Sequence, residues 1–264
     1  MQGLKVISEE YSHFLGLNGF PVAIKMLSQS SDVADLRSDG RPIRKLSKRL
    51  LICQVLAQAR FYGRVLVGEE ENINLCRLGA DALGFAVDDY THVYSGTYFS
   101  NREAAMRMIE TMPKLERGKY HALLVSPLEK SPIDPDVVVF FGNAAQILRI
   151  INGYLFDKGG RLEFSTSGDA GVCCDPVVIP MQTGKPSIGI PCNGGRLMSV
   201  PNETDLVCGV PFDILEQILD GIKFTATRVP VRYPPAWQHI DWEPQPPVLY
   251  FVRPELRPGK GERT

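Results

Sequence analysis

The feature that most constrains this chain is an internal near-duplication marked by cysteines. "LICQVLAQARFYGRVLVGEEENINLCRLGADALG" carries Cys53 and Cys76, and "GVCCDPVVIPMQTGKPSIGIPCNGGR" carries Cys173 and Cys192. In each segment one cysteine opens an apolar stretch, and a second precedes a glycine, Gly79 or Gly194. An apolar, strand-like run stands ahead of each pair, "PVAIKML" from Pro21 and "PDVVVFFG" from Pro135. The offsets Val22 to Val137, Cys53 to Cys173 and Cys76 to Cys192 are 115, 120 and 116 residues. Near-constant offsets predict two related halves that each bring two thiols toward a shared place.

Four converging thiols are the ligand set of soft metals and iron–sulfur clusters. No C-x-x-C motif is present, so Cys53, Cys76, Cys173 and Cys192 would have to be gathered by the fold. Two bland readings stand beside this. Cysteine is often buried as a small hydrophobe, which suits Cys53 on a helix and Cys208 in "LVCGV". Alternatively Cys192 or Cys76 is a lone catalytic nucleophile, Cys76 being placed where a helix N-terminus lowers a thiol pKa. The four histidines, His13, His92, His121 and His239, lie outside the cysteine segments, so a Cys–His pair is weakly supported.

With 264 residues, 44% hydrophobic and 22% charged, the chain can bury a sizeable core. A formal net charge of −1 gives no global pull toward nucleic acid or anionic membrane, and neither is expected as a partner. The one obvious basic patch, "RPIRKLSKR" at Arg41–Arg49, reads first as a solvated approach to a helix. No secretory h-region or eighteen-residue apolar run is present, so a cytoplasmic address with reduced thiols is expected.

Along the chain, "LKVISEEYSHFLGL" predicts an amphipathic helix and "PVAIKML" a strand. "KLSKRLLICQVLAQARFYG" predicts a helix with Leu46, Leu50, Cys53, Ala57 and Phe61 on one stripe and Gly63 as its stop. "RVLVG" reads as a strand, with Cys76 at the mouth of a short helix. Ser100 and Glu103 make a capping-box pattern before "REAAMRMIETM". "YHALLVSPL" and "VVVFFG" suit buried strands, the second leading into the helix "AAQILRIINGYLF". "GRLEFSTS", "SIGIP" and "DLVCGVPF" read as strands and "DILEQILDGI" as a helix. The order predicts an α/β (α+β) protein: mixed sheets flanked by helices in one domain, residues 1–234. Its halves are expected at about residues 15–118 and 119–234. Residues 235–264 are rich in proline and aromatics and read as an extended tail laid over the body or over a second copy in a homo-oligomer.

"PVAIKM", "ICQVLAQARFYG", "NLCRLGADALGF", "DVVVFFGNAAQILRIINGYL" and "VIPMQTGKPSIGIPCNGGR" together resemble domain-of-unknown-function family 169, found in archaea and anaerobic bacteria. The similarity covers approximately Leu15 to Pro234. The family brings no settled activity. Where its usual pattern has one Cys followed by Ala-Asp, this chain has Cys173-Cys174-Asp175, which makes Cys174 the extra thiol. The resemblance also marks Lys25, Asn143, Gln146, Gly184, Lys185, Asn193 and Arg196 as parts of typical motifs.

Several of these suit a small anionic ligand. Lys25 interrupts an apolar strand, Lys185 sits in a turn, and Arg196 follows two glycines with a fork suited to carboxylate or phosphate. Gly142 and Asn143 open a helix whose free N–H groups attract anions, and "STSGDAG" at Ser165–Gly171 is small and flexible. Asn193 completes the expected ligand-binding set. The leading expectation is a metal or iron–sulfur protein with thiolates from both halves, a rim of Lys25, Lys185 and Arg196, and a redox or accessory role. A cysteine-nucleophile enzyme acting on a small acid or acyl substrate, and a cofactor-free binding or assembly protein, are the alternatives.

Overall fold

Apolar runs in both halves pair side by side to form the centre of one sheet. The computed structural model describes residues 2–29, 36–38, 40–85, 87–199 and 202–228. In chain order the elements are α1 (Gln2–Leu15), β1 (Val22–Leu27), β2 (Arg37–Ser38), β3 (Arg41–Pro42), β4 (Arg44–Lys45), α2 (Ile52–Tyr62), β5 (Leu66–Glu69), α3 (Glu70–Ile73), α4 (Arg77–Ala82), α5 (Thr91–Tyr94) and α6 (Arg102–Thr111). They continue with β6 (Ala122–Pro127), β7 (Val137–Gly142), α7 (Ala144–Leu155), a π-helical turn (Cys174–Val178), α8 (Ile179–Thr183), β8 (Ser187–Gly189), α9 (Asn193–Met198), β9 (Leu206–Pro211) and α10 (Leu215–Arg228). Short 3₁₀ turns, Leu128–Lys130 and Phe212–Ile214, follow β6 and β9.

Among the described residues the main sheet has seven strands in the order β4-β5-β6-β1-β7-β9-β8, and β2 pairs with β3 separately. Only β4 and β5 run parallel; the other neighbours are antiparallel. The protein is therefore α/β with a mixed sheet.

The duplication is visible in this order. In the first half the chain lays down an inner strand (β1), an outer one (β5) and then the one between them (β6). In the second half β7, β8 and β9 repeat the sequence of moves. β1 and β7 meet antiparallel with Ala23 opposite Val138. An offset of 115 residues relates those same two positions, so the pseudo-two-fold axis passes through that pair. β6 and β9 each end on a proline that leads into a 3₁₀ turn. α2 and α8 each stop at a left-handed glycine, Gly63 at φ 63° and Gly184 at φ 64°, just before the outer strand. Glycine suits both stops because it has no Cβ to clash there. By strand correspondence Ala122–Lys130 goes with the first half.

Strand alternation splits the core into two layers. Val22, Ile24, Met26, Val137, Val139 and Phe141 face α2 and the π turn. Ala23, Val138, Phe140, Cys208 and Val210 face α1, α7 and α10. The second half packs tightly under its own turn: a Cβ added at Gly209 would stand 1.6 Å from the Pro176 carbonyl oxygen.

Several sequence expectations change. The helix predicted from Lys45 begins at Ile52. Its first residues are taken by the sheet edge, where Leu46 N–H donates to the Val67 carbonyl and Lys45 pairs with Glu69 at 2.6 Å. Its buried face is consequently Ile52, Val55, Leu56, Ala59 and Arg60, and Phe61 is exposed. Asn101, not Ser100, caps α6, its side-chain oxygen accepting from Ala104 N–H at 2.9 Å. "GRLEFSTS" forms no strand: it has no ladder neighbour among the described residues, and Phe164 lies in the open. The Pro-rich tail lies outside the described residues.

Candidate functional site: a four-cysteine cavity

Each of the four paired cysteines sits at or next to the start of a helical segment. Cys53 is in the first turn of α2, whose start is fixed by Leu51 N–H donating to Gln54 Oε1 at 2.9 Å. Cys173 stands at the N-cap position of the π turn that corresponds to α2. Cys76 and Cys192 hold the N-cap positions of α4 and α9. A π turn carries one more residue than an α turn. This accounts for the offset growing from 120 residues at Cys53/Cys173 to 121 at Gly63/Gly184.

All four line one cavity of about 150 Å³, together with Gly79, Tyr94, Tyr98, Asp169 and Ala170. A Cβ at Gly79 would lie 3.2 Å from Cys173 Sγ and 3.6 Å from Cys76 Sγ, so the separation of those sulfurs cannot exceed the sum. Cys53 Sγ donates to the Gly194 carbonyl at 3.6 Å, which ties it to the start of α9, the helix that Cys192 caps. Gly79 N–H donates to Cys76 Sγ at 3.4 Å. Ala170 adopts φ 56°, a conformation that L residues take at some cost. Its carbonyl accepts from the N–H groups of Cys173, Cys174 and Asp175, and this fan of bonds starts the π turn.

The electrostatics are those of crowded, buried thiols. Burial, then neighbouring Cys76 and Cys192, push Cys53 up to about 12. Burial raises Cys76 as well, with the Gly79 N–H opposing. Cys173 goes well above the ordinary thiol range through burial and the other three paired cysteines. Burial also raises Tyr94 and Asp169. Among the described residues no Lys, Arg or His lines the cavity. The helix start at Cys76 thus fails to lower its thiol, because desolvation outweighs the opposing N–H groups of Gly79 and Leu78. No group of three or more His, Cys, Asp or Glu side chains among the described residues is arranged to hold a metal ion.

The expected cationic rim lies elsewhere. Lys25 alternates with Ile24 and Met26 and so projects from the other side of β1, where it pairs with Asp136 at 2.6 Å. Asp136 also accepts from Met26 N–H, clasping the end of β1. Lys185 is exposed after α8. Arg196 lies on α9 but donates to the Glu203 carbonyl at 2.9 Å. Asn143 caps α7, accepting from Ala145 and Gln146 N–H, and borders a separate polar cleft with Arg60 and Asp205. Of the expected ligand-binding residues only Asn193 adjoins the cavity, its Nδ2 donating to the Tyr98 hydroxyl at 3.4 Å.

The two thiols set aside in the sequence are outside the cavity. Cys174 Sγ donates to the Pro113 carbonyl, and Cys208 is buried in the opposite layer. Sequence reasoning missed Tyr94 and Tyr98, while Asp169 belongs to the "STSGDAG" segment singled out there, without a role of its own. A signal existed for the tyrosines: Tyr90, Tyr94 and Tyr98 recur every four residues, and their rings contact in series at 6.0 and 5.5 Å.

Fold and cavity together define an α/β protein of two matched halves whose cysteines meet between helix starts on one face of the sheet. The chain belongs to domain-of-unknown-function family 169, the uncharacterised ArCR family, which matches residues 12–221. That match stops short of the Pro234 limit expected from the motifs. The "Uncharacterized protein MJ0308" of Methanocaldococcus jannaschii is 28% identical over 177 residues, 65% of this chain and 75% of that protein. No solved structure matches the chain. No described helix is long and apolar enough to cross a membrane.

Proposed function

We propose that the protein binds a thiolate-ligated metal centre, best read as an iron–sulfur or other multinuclear cluster, in the four-cysteine cavity, with a redox or accessory role. The observation that carries this is the convergence of Cys53, Cys76, Cys173 and Cys192, two from each half, on one cavity. Ordinary core packing would not require matched thiols to line open space. The cavity is about 150 Å³, against roughly 10–15 Å³ of such space for one water. A tetrahedral zinc ion draws four sulfurs to about 2.3 Å from itself. Among the described residues no three such side chains already stand arranged to hold a metal ion, so binding would require the thiols to draw in around the centre.

Burial raises Cys53, Cys76 and Cys173, and this bears on how such a centre would load. Buried without a cation, they remain protonated; a bound metal supplies the positive charge that deprotonates them. They also weigh against a lone nucleophile at Cys76, which needs a lowered pKa or an adjacent base. Tyr94, Tyr98, Asp169 and Asn193 would form the polar side of the site, next to any small molecule that approaches the centre.

The test is elemental analysis and absorption spectroscopy of protein purified without oxygen. Iron and acid-labile sulfide at several atoms per chain, with visible absorption bleached by dithionite, are the expected result. Colourless, metal-free protein that takes up neither iron nor zinc on reconstitution would overturn the proposal.

A further inference from the structure

A second site lies on the segments that carry the first-half cysteines. Arg49, Arg77 and Arg117 line an open cavity of about 400 Å³ with Asn74, Val87 and Asp88. Arg49 comes shortly before α2 and its Cys53, Arg77 is the residue after Cys76, and Arg117 comes from the turn after α6.

Two of the three guanidiniums are braced from behind. Arg49 Nε donates to Asn74 Oδ1 at 3.1 Å, and Arg117 Nη2 donates to the Val87 carbonyl at 3.0 Å. Each bond uses one N–H of the five a guanidinium carries, and the remainder stay available to the cavity. None of the three arginines forms an ion pair among the described residues. Among the described residues Asp88 is the single acid in the lining, which leaves two of the three positive charges unbalanced there. Holding like charges together is unfavourable unless an anion or water lies between them.

We infer that this basin is a binding site for a small, multiply charged anion, a phosphorylated molecule or a polycarboxylate, gripped by the forks of Arg49, Arg77 and Arg117. Guanidinium forks match the paired oxygens of phosphate and carboxylate. The volume is in the small-ligand range of about 300–1,000 Å³. Among the described residues no aromatic ring lines the cavity, so the arginine forks would grip the anionic end of the ligand. The site is separate from Lys25, Lys185 and Arg196, and it does not depend on the metal reading of the neighbouring cavity.

Calorimetric titration of the full chain with pyrophosphate, and separately with citrate, at low ionic strength tests this. Saturable binding of one molecule per chain is expected, weakening as salt is added because the pairs are exposed. Arg77→Ala and the double variant R49A/R117A should each weaken it at least about tenfold, the loss of one or more charge-assisted contacts. Arg77→Lys should retain part of the affinity, and Lys185→Ala should leave it unchanged. Tighter pyrophosphate binding identifies a phosphorylated ligand, and tighter citrate binding a polycarboxylate. No saturable binding of either anion, or binding that survives R49A/R77A/R117A in protein of unchanged circular dichroism, overturns the inference.

Discussion

Replacing Asp175 with Asn should remove a pH-dependent weakness built into the π turn. Asp175 is buried, its Oδ2 has no hydrogen-bond partner among the described residues, and burial pushes its carboxyl up to about 7 from 3.8. Thr166 and Cys174 oppose that shift only in part. Because the folded protein holds this proton more tightly than the unfolded chain, it binds more protons between about pH 4 and pH 7. Stability therefore falls as pH rises through that window, and the full cost is present above it. At about 1.36 kcal/mol per unit, a shift of this size corresponds to roughly 4 kcal/mol at pH 8. Asn keeps the shape and cannot ionise. In urea unfolding, D175N and the parent should be nearly equal at pH 4.5, and D175N should be more stable by about 2–4 kcal/mol at pH 8. Parallel stability–pH curves for the two proteins would refute the assignment of a buried, carboxylate-destabilising site.

Two further outcomes follow from other buried groups. Arg60 is sandwiched between Phe61 and Phe141 at 4.5 and 4.6 Å and pairs with buried Asp205 at 3.2 Å. Arg60→Ala leaves that carboxylate alone and should cost about 3–5 kcal/mol in denaturant unfolding; a loss below 1 kcal/mol contradicts the paired burial. In metal-free, reduced protein Cys53, pushed up to about 12, should react with iodoacetamide roughly three orders of magnitude more slowly at pH 8 than a free thiol. Peptide mass spectrometry measures the rate, and fast labelling of Cys53 near neutral pH would contradict its burial.

What the sequence revealed follows from how local each signal is. β6, β7 and β9 were legible as apolar runs because every residue of a strand in a sheet covered on both faces is drawn toward the core. Gly63 was legible because the left-handed stop is a one-residue requirement. The four cysteines were legible through repetition, since offsets of 115 to 120 residues already carried the two-fold relation that the sheet displays. Roles that depend on a distant partner were not. Lys25 is expected from the sequence to face a ligand because its partner Asp136 stands 111 residues away. The anion basin went unread because Arg49, Arg77 and Arg117 come together only when three separate turns do. "GRLEFSTS" alternates like a strand, yet no strand among the described residues lies alongside it to complete a ladder.

The central claim, a metal centre held by thiols from both halves, is tested most directly by anaerobic reconstitution with iron and sulfide across six cysteine-to-serine variants. Iron per chain should fall sharply in C53S, C76S, C173S and C192S and remain at the parent level in C174S and C208S. Equal loading of all six variants, or no loading of the parent, would contradict it.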